Sequence, residues 1–310
     1  MSVDPTSISR HHGRVAIVTG ANSGLGFETT KAFAQLGITT VMACRNLDRG
    51  LDARSRIATE VEGAELSVMP LDLSDLDSVR DFAKAFRDAH SSLDLLILNA
   101  GIMTPPYATT ADGFESQMGA NHFGHVLLTS LLLDLMPDTP RSRVVSLSSN
   151  AHRLGQQRIM FDDLHWERKY SSGGAYAQSK LACLMFANTL QRRMTDAGLS
   201  ITAVTAHPGI SPTELSRNTS KALRAILMYT VAPFVTHPPA KAVLSQIHAA
   251  LDEKVQGGEY YGPTGFRELK GPPGLVDQLP YALDENEQDR LWAVSTGLTG
   301  AVFPWERAAS

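Results

Sequence analysis

The sequence predicts an α/β protein: a single doubly wound domain with a mainly parallel, seven-stranded sheet. Six short apolar runs alternate with longer amphipathic runs through the first 206 residues, and G-G-E-Y-Y-G at 257–262 indicates a seventh strand. The β-branched and leucine-rich composition of the runs is typical of strands buried on both faces. Parallel neighbours require crossover connections, which the amphipathic runs supply as helices.

The first six strands are predicted at 15–19, 39–43, 66–70, 93–98, 143–149 and 200–206. After the third strand, Ser74 is predicted to cap a helix, with Asp77 three residues later in a variant of the capping box. Residues 1–12, including His11 and His12, are expected to form a flexible, solvated leader. The domain is expected to span 13–264, with a helical substrate lid at about 210–240 and a packed C-terminal extension at 265–310.

Composition narrows the range of functions. The chain has 310 residues, of which 43% are hydrophobic and 19% charged, and its formal net charge is −4. Because it has no run of Lys or Arg, a small-molecule partner is favoured over nucleic acid or a membrane surface. The polar N-terminus lacks the apolar segment of a signal peptide or membrane anchor, so we expect a cytoplasmic protein. Two cysteines, Cys44 and Cys183, are too few for a disulfide framework, and we expect no metal site.

A glycine-rich turn follows the first strand directly and opens a helix, with the sequence T-G-A-N-S-G-L-G. Gly20 permits a tight turn, Gly24 lets the backbone approach a pyrophosphate, and Gly26 allows helix and strand to pack closely. The helix N-terminus supplies amide donors to the phosphate. This setting indicates the dinucleotide-binding turn of a Rossmann-type domain. The other predicted contacts in the turn are Asn22, Ser23 and Leu25.

The end of the second strand predicts which dinucleotide is bound. An acidic side chain there would hold the ribose hydroxyls of NAD, but the chain has Cys44 followed by Arg45. No acid is present to repel a 2′-phosphate, and the Arg45 guanidinium can bind one in bidentate fashion. The cofactor is therefore predicted to be NADP(H). Arg49 either assists or is solvated.

Two further strand ends complete the predicted cofactor site. Asp72, with Leu73 beside it, either accepts a hydrogen bond from the adenine amino group or caps a helix. The sequence N-A-G ends the fourth strand, at the edge where open α/β sheets bind ligands. Asn99 tolerates unusual backbone angles and Gly101 lets the chain pass close to a cofactor, with Ala100 between them.

Three side chains are candidates for proton chemistry. Tyr176 and Lys180 lie one helical turn apart, so on a helix they share a face. An ammonium beside a phenol favours its ionised form, which suits a proton donor and acceptor near neutral pH. Ser149, at the end of the fifth strand, is the third candidate. Taken alone, Y-x-x-x-K also arises from a surface lysine above a packed tyrosine.

Together these motifs resemble the short-chain dehydrogenase/reductase family, over about residues 13–209 and more loosely to 262. The stretch between Ser149 and Tyr176 is longer than in most members. With S-S-x-A-H, F-D-D-L, A-C-R and A-N-H-F-G-H, the chain looks like the retinol dehydrogenase and protochlorophyllide reductase branch. The motifs that occur in the family's order are T-G-x-x-x-G-x-G, N-A-G, a helix asparagine (Asn121), Ser149, Y-x-x-x-K and P-G (Pro208, Gly209).

The resemblance implies a role for each residue. Tyr176 exchanges a proton with the substrate oxygen while hydride passes to or from the nicotinamide. Ser149 hydrogen-bonds the same oxygen, with Ser148 as its rival. Lys180 binds the ribose hydroxyls, and Asn121 holds a water that connects Lys180 to solvent. Further cofactor contacts are implied at Pro208, Gly209, Ile210 and Thr213.

The predicted activity is the interconversion of an apolar ketone or aldehyde and its alcohol with NADP(H). The apolar run within 210–240 is expected to cover a bulky apolar substrate, although core packing explains it equally well. Apolar helices at 126–136 and 181–190 fit either a homodimer or homotetramer interface or burial within the monomer. Reduction of a C=C bond by the same residues is the enzymatic alternative. The non-enzymatic alternative is an NADPH-binding sensor.

Overall fold

A computed structural model gives the fold over residues 11–209 and 239–307. Over these residues the sheet has eight strands rather than the predicted seven, in the order β3-β2-β1-β4-β5-β6-β7-β8. The first seven run parallel and β8 pairs antiparallel with β7. The strands are β1 Val15–Thr19, β2 Thr39–Cys44, β3 Leu66–Pro70, β4 Leu95–Leu98, β5 Arg143–Leu147, β6 Thr202–Ala206, β7 Tyr260–Pro263 and β8 Pro273–Leu275.

Helices connect the parallel strands, as predicted. The α-helices in the described part of the chain are α1 Gly24–Gln35, α2 Leu47–Glu60, α3 Leu76–Ala89, α4 Ser116–Met118, α5 Gly124–Leu132, α6 Ser172–Asp196, α7 Pro239–Ala242, α8 Leu244–Leu251, α9 Glu285–Thr299 and α10 Pro304–Arg307. A single π-helical turn, Gly119–Phe123, joins α4 to α5. Such turns are rare and often occur at functional sites.

Helices cover both faces of the sheet and bury two apolar layers. On one face α3, α5 and α6 pack through side chains such as Phe86 and Leu184, and on the other α1, α2 and α8 pack through Phe33 and Ile247. All four side chains are fully buried, which stabilises the fold by about 1.5–3 kcal/mol each. The chain leaves β3 at the sheet edge and returns past β1 to form β4. This reversal opens a crevice at the carboxyl ends of β1 and β4.

The unpredicted eighth strand lies in the C-terminal extension. Its three residues, P-G-L, carry no strand signal, because Pro and Gly are both disfavoured in strands. The same extension contributes α9, whose Trp292 stacks on Phe186 of α6 with ring centroids 5.9 Å apart. The extension therefore packs on the domain in its described part, residues 265–307.

Two local predictions are wrong. Helix α3 is capped by Asp75, whose side chain accepts from the amides of Asp77 and Ser78, while the Ser74 hydroxyl turns back to Asp72 Oδ1 at 2.6 Å. A carboxylate is the stronger acceptor for two amides at a positive helix end. His11 is buried rather than solvated, because its amide donates to Leu36 O and extends the edge of the domain.

The predicted lid at about 210–240 lies outside the described residues, except for its last two positions. Among the helices that are described, none combines the length and the hydropathy needed to cross a lipid bilayer. The apolar faces of α5 and α6 are already buried inside the monomer. Burial within the monomer therefore accounts for their pattern, and a homodimer or homotetramer stays a prediction.

Candidate active site

A cavity of about 650 Å³ lies at the carboxyl edge of the sheet. Its walls come from the segments that follow β1, β2, β3 and β4, from the end of β5 and from α6. The predicted site residues that line it are Gly20, Asn22, Ser23, Gly24, Leu25, Gly26, Arg45, Asp72, Leu73, Asn99, Ala100, Gly101, Tyr176, Lys180 and Pro208. Predicted residues outside the wall are Ser149, Asn121 and Gly209, and Ile210 and Thr213 lie outside the described residues.

The glycine-rich turn is built as its sequence predicts. Gly20 adopts a left-handed backbone conformation with φ of 67°, which glycine reaches without strain. At Gly26, a Cβ atom would lie 2.3 Å from Gly20 O and 2.7 Å from Asn99 Nδ2. The close contact between helix α1 and the loop after β4 therefore requires glycine at this position.

Gly26→Ala is expected to cost about 1–3 kcal/mol of unfolding free energy and to weaken binding of the predicted cofactor, because backbone must move to admit the methyl group. Urea unfolding and a titration with NADPH measure both effects. Gly173→Ala is the matched control: Gly173 is exposed in the first turn of α6, with open space at its Cβ position. Equal losses in the two variants would contradict the packing argument.

The end of the cavity next to β2 is basic. Burial raises the pKa of the Cys44 thiol to about 11, so it stays uncharged where an NAD-binding acid would stand. Arg45 lines the cavity together with Arg49, which the sequence left undecided. Asn46 Oδ1 accepts a hydrogen bond from the Arg49 amide at 2.8 Å and caps α2. This cap fixes the backbone position from which the Arg49 side chain extends.

Asp72 lines the cavity and stabilises a turn, but it does not cap helix α3, which Asp75 caps, and its contact with adenine stays a prediction. One carboxylate oxygen accepts from the amide and hydroxyl of Ser74 at 2.9 and 2.6 Å. The Asp72 amide donates a hydrogen bond to Ser78 Oγ at 3.0 Å. These bonds hold the segment after β3 against the cavity.

A hydrogen-bond chain that the sequence did not predict supports N-A-G. Asn99 Nδ2 donates to Thr19 O at 2.7 Å, and the Ala100 amide donates to Thr19 Oγ1 at 2.9 Å. His125 Nε2 lies 3.0 Å from the same hydroxyl, and its Nδ1 lies 3.0 Å from Asn121 O. Because a carbonyl only accepts, Nδ1 carries the proton and Nε2 accepts from Thr19. The only sequence signal for His125 is its place in A-N-H-F-G-H.

Tyr176 and Lys180 lie in the cavity wall on one face of α6, as the spacing predicts. Lys180 Nζ is 6.0 Å from the centre of the Tyr176 ring and donates to Leu147 O at 2.8 Å, at the end of β5. Tyr176 is 7% exposed and Lys180 is 5% exposed. The lysine is therefore a fixed, desolvated charge next to the phenol rather than a solvated surface group.

The serine pair differs from the prediction in its position. Strand β5 ends at Leu147, so Ser149 lies beyond it and caps the 3₁₀ turn Asn150–Arg153, accepting the Ala151 amide at 3.2 Å. Ser148 lines the cavity, but its hydroxyl donates to Lys180 O at 2.8 Å. Ser148 thus braces α6, whereas Ser149 accepts the hydrogen bond of its cap.

Asn121 lies behind the cavity in the π-helical turn. Its Oδ1 accepts the Ile102 amide at 2.8 Å, and its Nδ2 donates to Ile102 O and to Ser179 Oγ. A Cβ at Gly101 would lie 3.1 Å from Asn121 Oδ1 and 3.4 Å from Lys180 Nζ. The side chain therefore fixes the loop after β4 next to the lysine, and the predicted water stays a prediction.

Buried histidines around the site make stability acid-sensitive. Burial lowers the pKa of His122 to about 3 and those of His125 and His152 to about 4, from 6.5. Above about pH 6.5 neither state binds these protons; below it the unfolded chain binds them first, so stability falls as pH drops towards 4. Each histidine contributes up to about 1.4 kcal/mol per pH unit. Thermal melting is expected at lower temperature at about pH 5 than at about pH 7, and equal midpoints would contradict this.

Comparison with known proteins assigns the chain to the same family that its cavity-lining motifs resemble. Residues 14–161 match the short chain dehydrogenase family. Human retinol dehydrogenase 12 is 39% identical over 95% of this chain and 88% of its own, and human retinol dehydrogenase 13 is 38% identical over 94% and 86%.

Solved structures share the fold. The crystal structure of an uncharacterized protein from Mycobacterium paratuberculosis is 38% identical, with a TM-score of 0.80 over 98% of this chain and 100% of its own. A short chain dehydrogenase from Escherichia coli CFT073, complexed with NADPH, has a TM-score of 0.61 at 21% identity, over 83% of this chain and 98% of its own. The chain belongs to the short-chain dehydrogenase/reductase family of oxidoreductases and resembles its retinol dehydrogenase members.

Proposed function

We propose that the protein is an NADP(H)-dependent oxidoreductase that interconverts an apolar ketone or aldehyde with its alcohol. The observation that carries the proposal is that Tyr176 and Lys180 line the same cavity as the glycine-rich turn and Arg45. Proton-transfer groups at one end and phosphate-binding groups at the other suit a dinucleotide laid between them.

The residues present fit the cofactor. At Gly24, the described residues beyond its chain neighbours and its own helix backbone leave open space where a Cβ would be, so the turn leaves room for a phosphate. The Ser23 side chain makes no cap hydrogen bond, and the first amides of α1 remain for an anion. Arg45, with Arg49, would bind a 2′-phosphate, and Asp72 the adenine. Bound NADPH would supply the hydride.

The protein's own side chains manage the proton. In reduction Tyr176 protonates the carbonyl oxygen, and in oxidation it removes the hydroxyl proton. Lys180 stabilises the phenolate by its charge, and its bond to Leu147 O keeps the ammonium in place. Ser149 donates a hydrogen bond to the same substrate oxygen as negative charge develops on it.

The apolar substrate class is supported by the similarity to proteins named retinol dehydrogenases. An apolar lid from 210–240 would enclose such a substrate and keep water from the hydride path. We also propose a cytoplasmic location and assembly as a homodimer or homotetramer.

Purified protein should consume NADPH with carbonyls of graded bulk and polarity, including retinaldehyde, and NADH should be consumed far more slowly. Turnover that rises with apolar bulk supports the proposal. A product in which a C=C bond is reduced would instead assign the alternative reaction, and NADPH binding without turnover on any carbonyl would count against the proposal.

A further inference from the structure

The turn at residues 265–271, in the C-terminal extension, packs against both loops that face the nicotinamide end of the site. Leu269 O lies 2.4 Å from where a Cβ of Gly209 would be, so the turn touches the P-G loop directly. Asn150 Nδ2, in the turn capped by Ser149, lies 3.3 Å from Glu268 O and 3.5 Å from Arg267 O. One short segment therefore contacts both functional loops.

The backbone of this turn is strained. Arg267 and Glu268 are consecutive non-glycine residues with φ of 50° and 56°. Side chains with a Cβ rarely adopt this left-handed conformation, and it persists only where surrounding contacts hold it. Strain of this kind occurs most often at functional sites.

The Glu268 carboxylate connects the two loops through its two oxygens. Oε1 lies 2.8 Å from Arg153 Nη1, in the turn capped by Ser149. Oε2 lies 3.2 Å from His207 Nε2, directly before Pro208, although the ring N–H is not aligned for a full hydrogen bond. The His207 side chain is fully buried and that of Glu268 is 20% exposed.

His207 contacts the Pro208–Gly209 loop directly, and His152, the neighbour of Arg153, contacts Ser149. The Gly209 amide donates to His207 Nδ1 at 3.2 Å, so the proton of a neutral ring must be on Nε2, which faces Glu268. Space around the ring is closed, since a Cβ on Gly262 would lie 1.9 Å from Nε2. Next to Arg153, His152 Nδ1 donates to Ser149 O at 2.6 Å.

The charge states of Glu268 and His207 are consistent with these contacts. Burial alone would raise the pKa of Glu268, but the neighbouring His207 and Arg153 outweigh it and lower the pKa. Burial lowers the pKa of His207. At neutral pH a neutral imidazole therefore donates towards a carboxylate, which orders the ring without a second buried charge.

We propose that Glu268 is a positioning residue, which holds the turn capped by Ser149 and the Pro208–Gly209 loop in register through Arg153 and His207. Its effect on turnover rests on the proposed function, but its effect on the two loops does not. The side chain acts through its neighbours and touches no reacting atom.

Glu268→Gln tests this with little change in shape. A glutamine presents one acceptor and one donor, so it cannot accept from both Arg153 and His207, and a donor placed against His207 Nε2 favours loss of the bond to Gly209. Asp277→Asn is the matched control, because this exposed residue of the same extension contacts Arg153 only through its backbone carbonyl. Arg153→Gln breaks the link from its other end.

Two readouts are required. In Glu268→Gln, kcat for an apolar aldehyde is expected to fall on the order of tenfold, with NADPH affinity within about twofold of wild type, because the adenine end is untouched. Hydrogen–deuterium exchange is expected to quicken in peptides covering 149–153 and 207–209 and not in α1. Asp277→Asn is expected to match wild type in both.

Unchanged exchange in both loops, in Glu268→Gln and Arg153→Gln, overturns the proposal whatever the activity. If Glu268→Gln does not fold, Arg153→Gln decides by the same readouts. If wild type turns over no carbonyl, the proposed function fails, and exchange in the two loops still decides whether Glu268 positions them. Faster exchange with an unchanged kcat would overturn the catalytic part of the inference.

Discussion

Tyr176→Phe is expected to reduce carbonyl turnover by about 10²–10⁴-fold while leaving NADPH affinity nearly unchanged. The variant removes the hydroxyl that we propose exchanges the proton but keeps the ring, which is 7% exposed on α6. The proposed binding groups, the glycine-rich turn and Arg45, line the other end of the cavity. Steady-state rates, with NADPH affinity measured by fluorescence titration, separate the two effects.

Tyr281→Phe is the control for loss of a tyrosine hydroxyl. Tyr281 OH donates to Glu287 Oε2 at 2.8 Å, and neither residue lines the cavity. This variant is expected to keep wild-type turnover and to lose about 0.5–1.5 kcal/mol of unfolding free energy. If Tyr176→Phe turned over like Tyr281→Phe, Tyr176 would not be the proton donor.

The second large effect is expected at Arg45. Arg45→Ala should weaken NADPH binding by about 10- to 100-fold, since a hydrogen bond to a charged group contributes about 1.5–3 kcal/mol. NADH, which has no 2′-phosphate, should bind as it does to wild type. The difference between NADPH affinity and NADH affinity is therefore expected to become smaller in Arg45→Ala. Parallel titrations with the two cofactors measure it.

Arg54→Ala is the control for this variant, because it removes the same charge from α2 at an exposed position away from the cavity wall. Its NADPH affinity is expected to stay within about twofold of wild type, apart from weak screening effects. Equal weakening by both variants would indicate a general loss of positive charge. An NADPH affinity of Arg45→Ala equal to that of wild type would contradict the proposal that the cofactor is NADP(H).

Regular, buried elements were the predictable part of the fold. β1, a buried apolar run, has the predicted bounds, and so does β3, although its place at the sheet edge leaves it only partly buried. β8 was missed, since a three-residue P-G-L strand owes its pairing to β7 rather than to propensity. Ser74 and Asp75 are both good caps, and only the path of the chain selects Asp75.

The site residues also divide into those that local sequence predicts and those that only the folded structure brings together. Motif residues such as Gly26, Arg45 and Tyr176 line one cavity, because local spacing along a strand end or helix brings them to the same edge of the sheet, and their roles stay predictions. His125 and Glu268 were missed as contributors to the site. Their partners are distant in sequence, and only tertiary packing brings them together.

The most direct test of the account follows the hydride. Wild-type protein is incubated with NADPH that is dideuterated at C4 of the nicotinamide and with a bulky apolar aldehyde, and the product is analysed by mass spectrometry and NMR. The alcohol product is expected to carry one deuterium on the carbinol carbon. Deuterium on a former alkene carbon, or no transfer to any carbonyl tested, would contradict it.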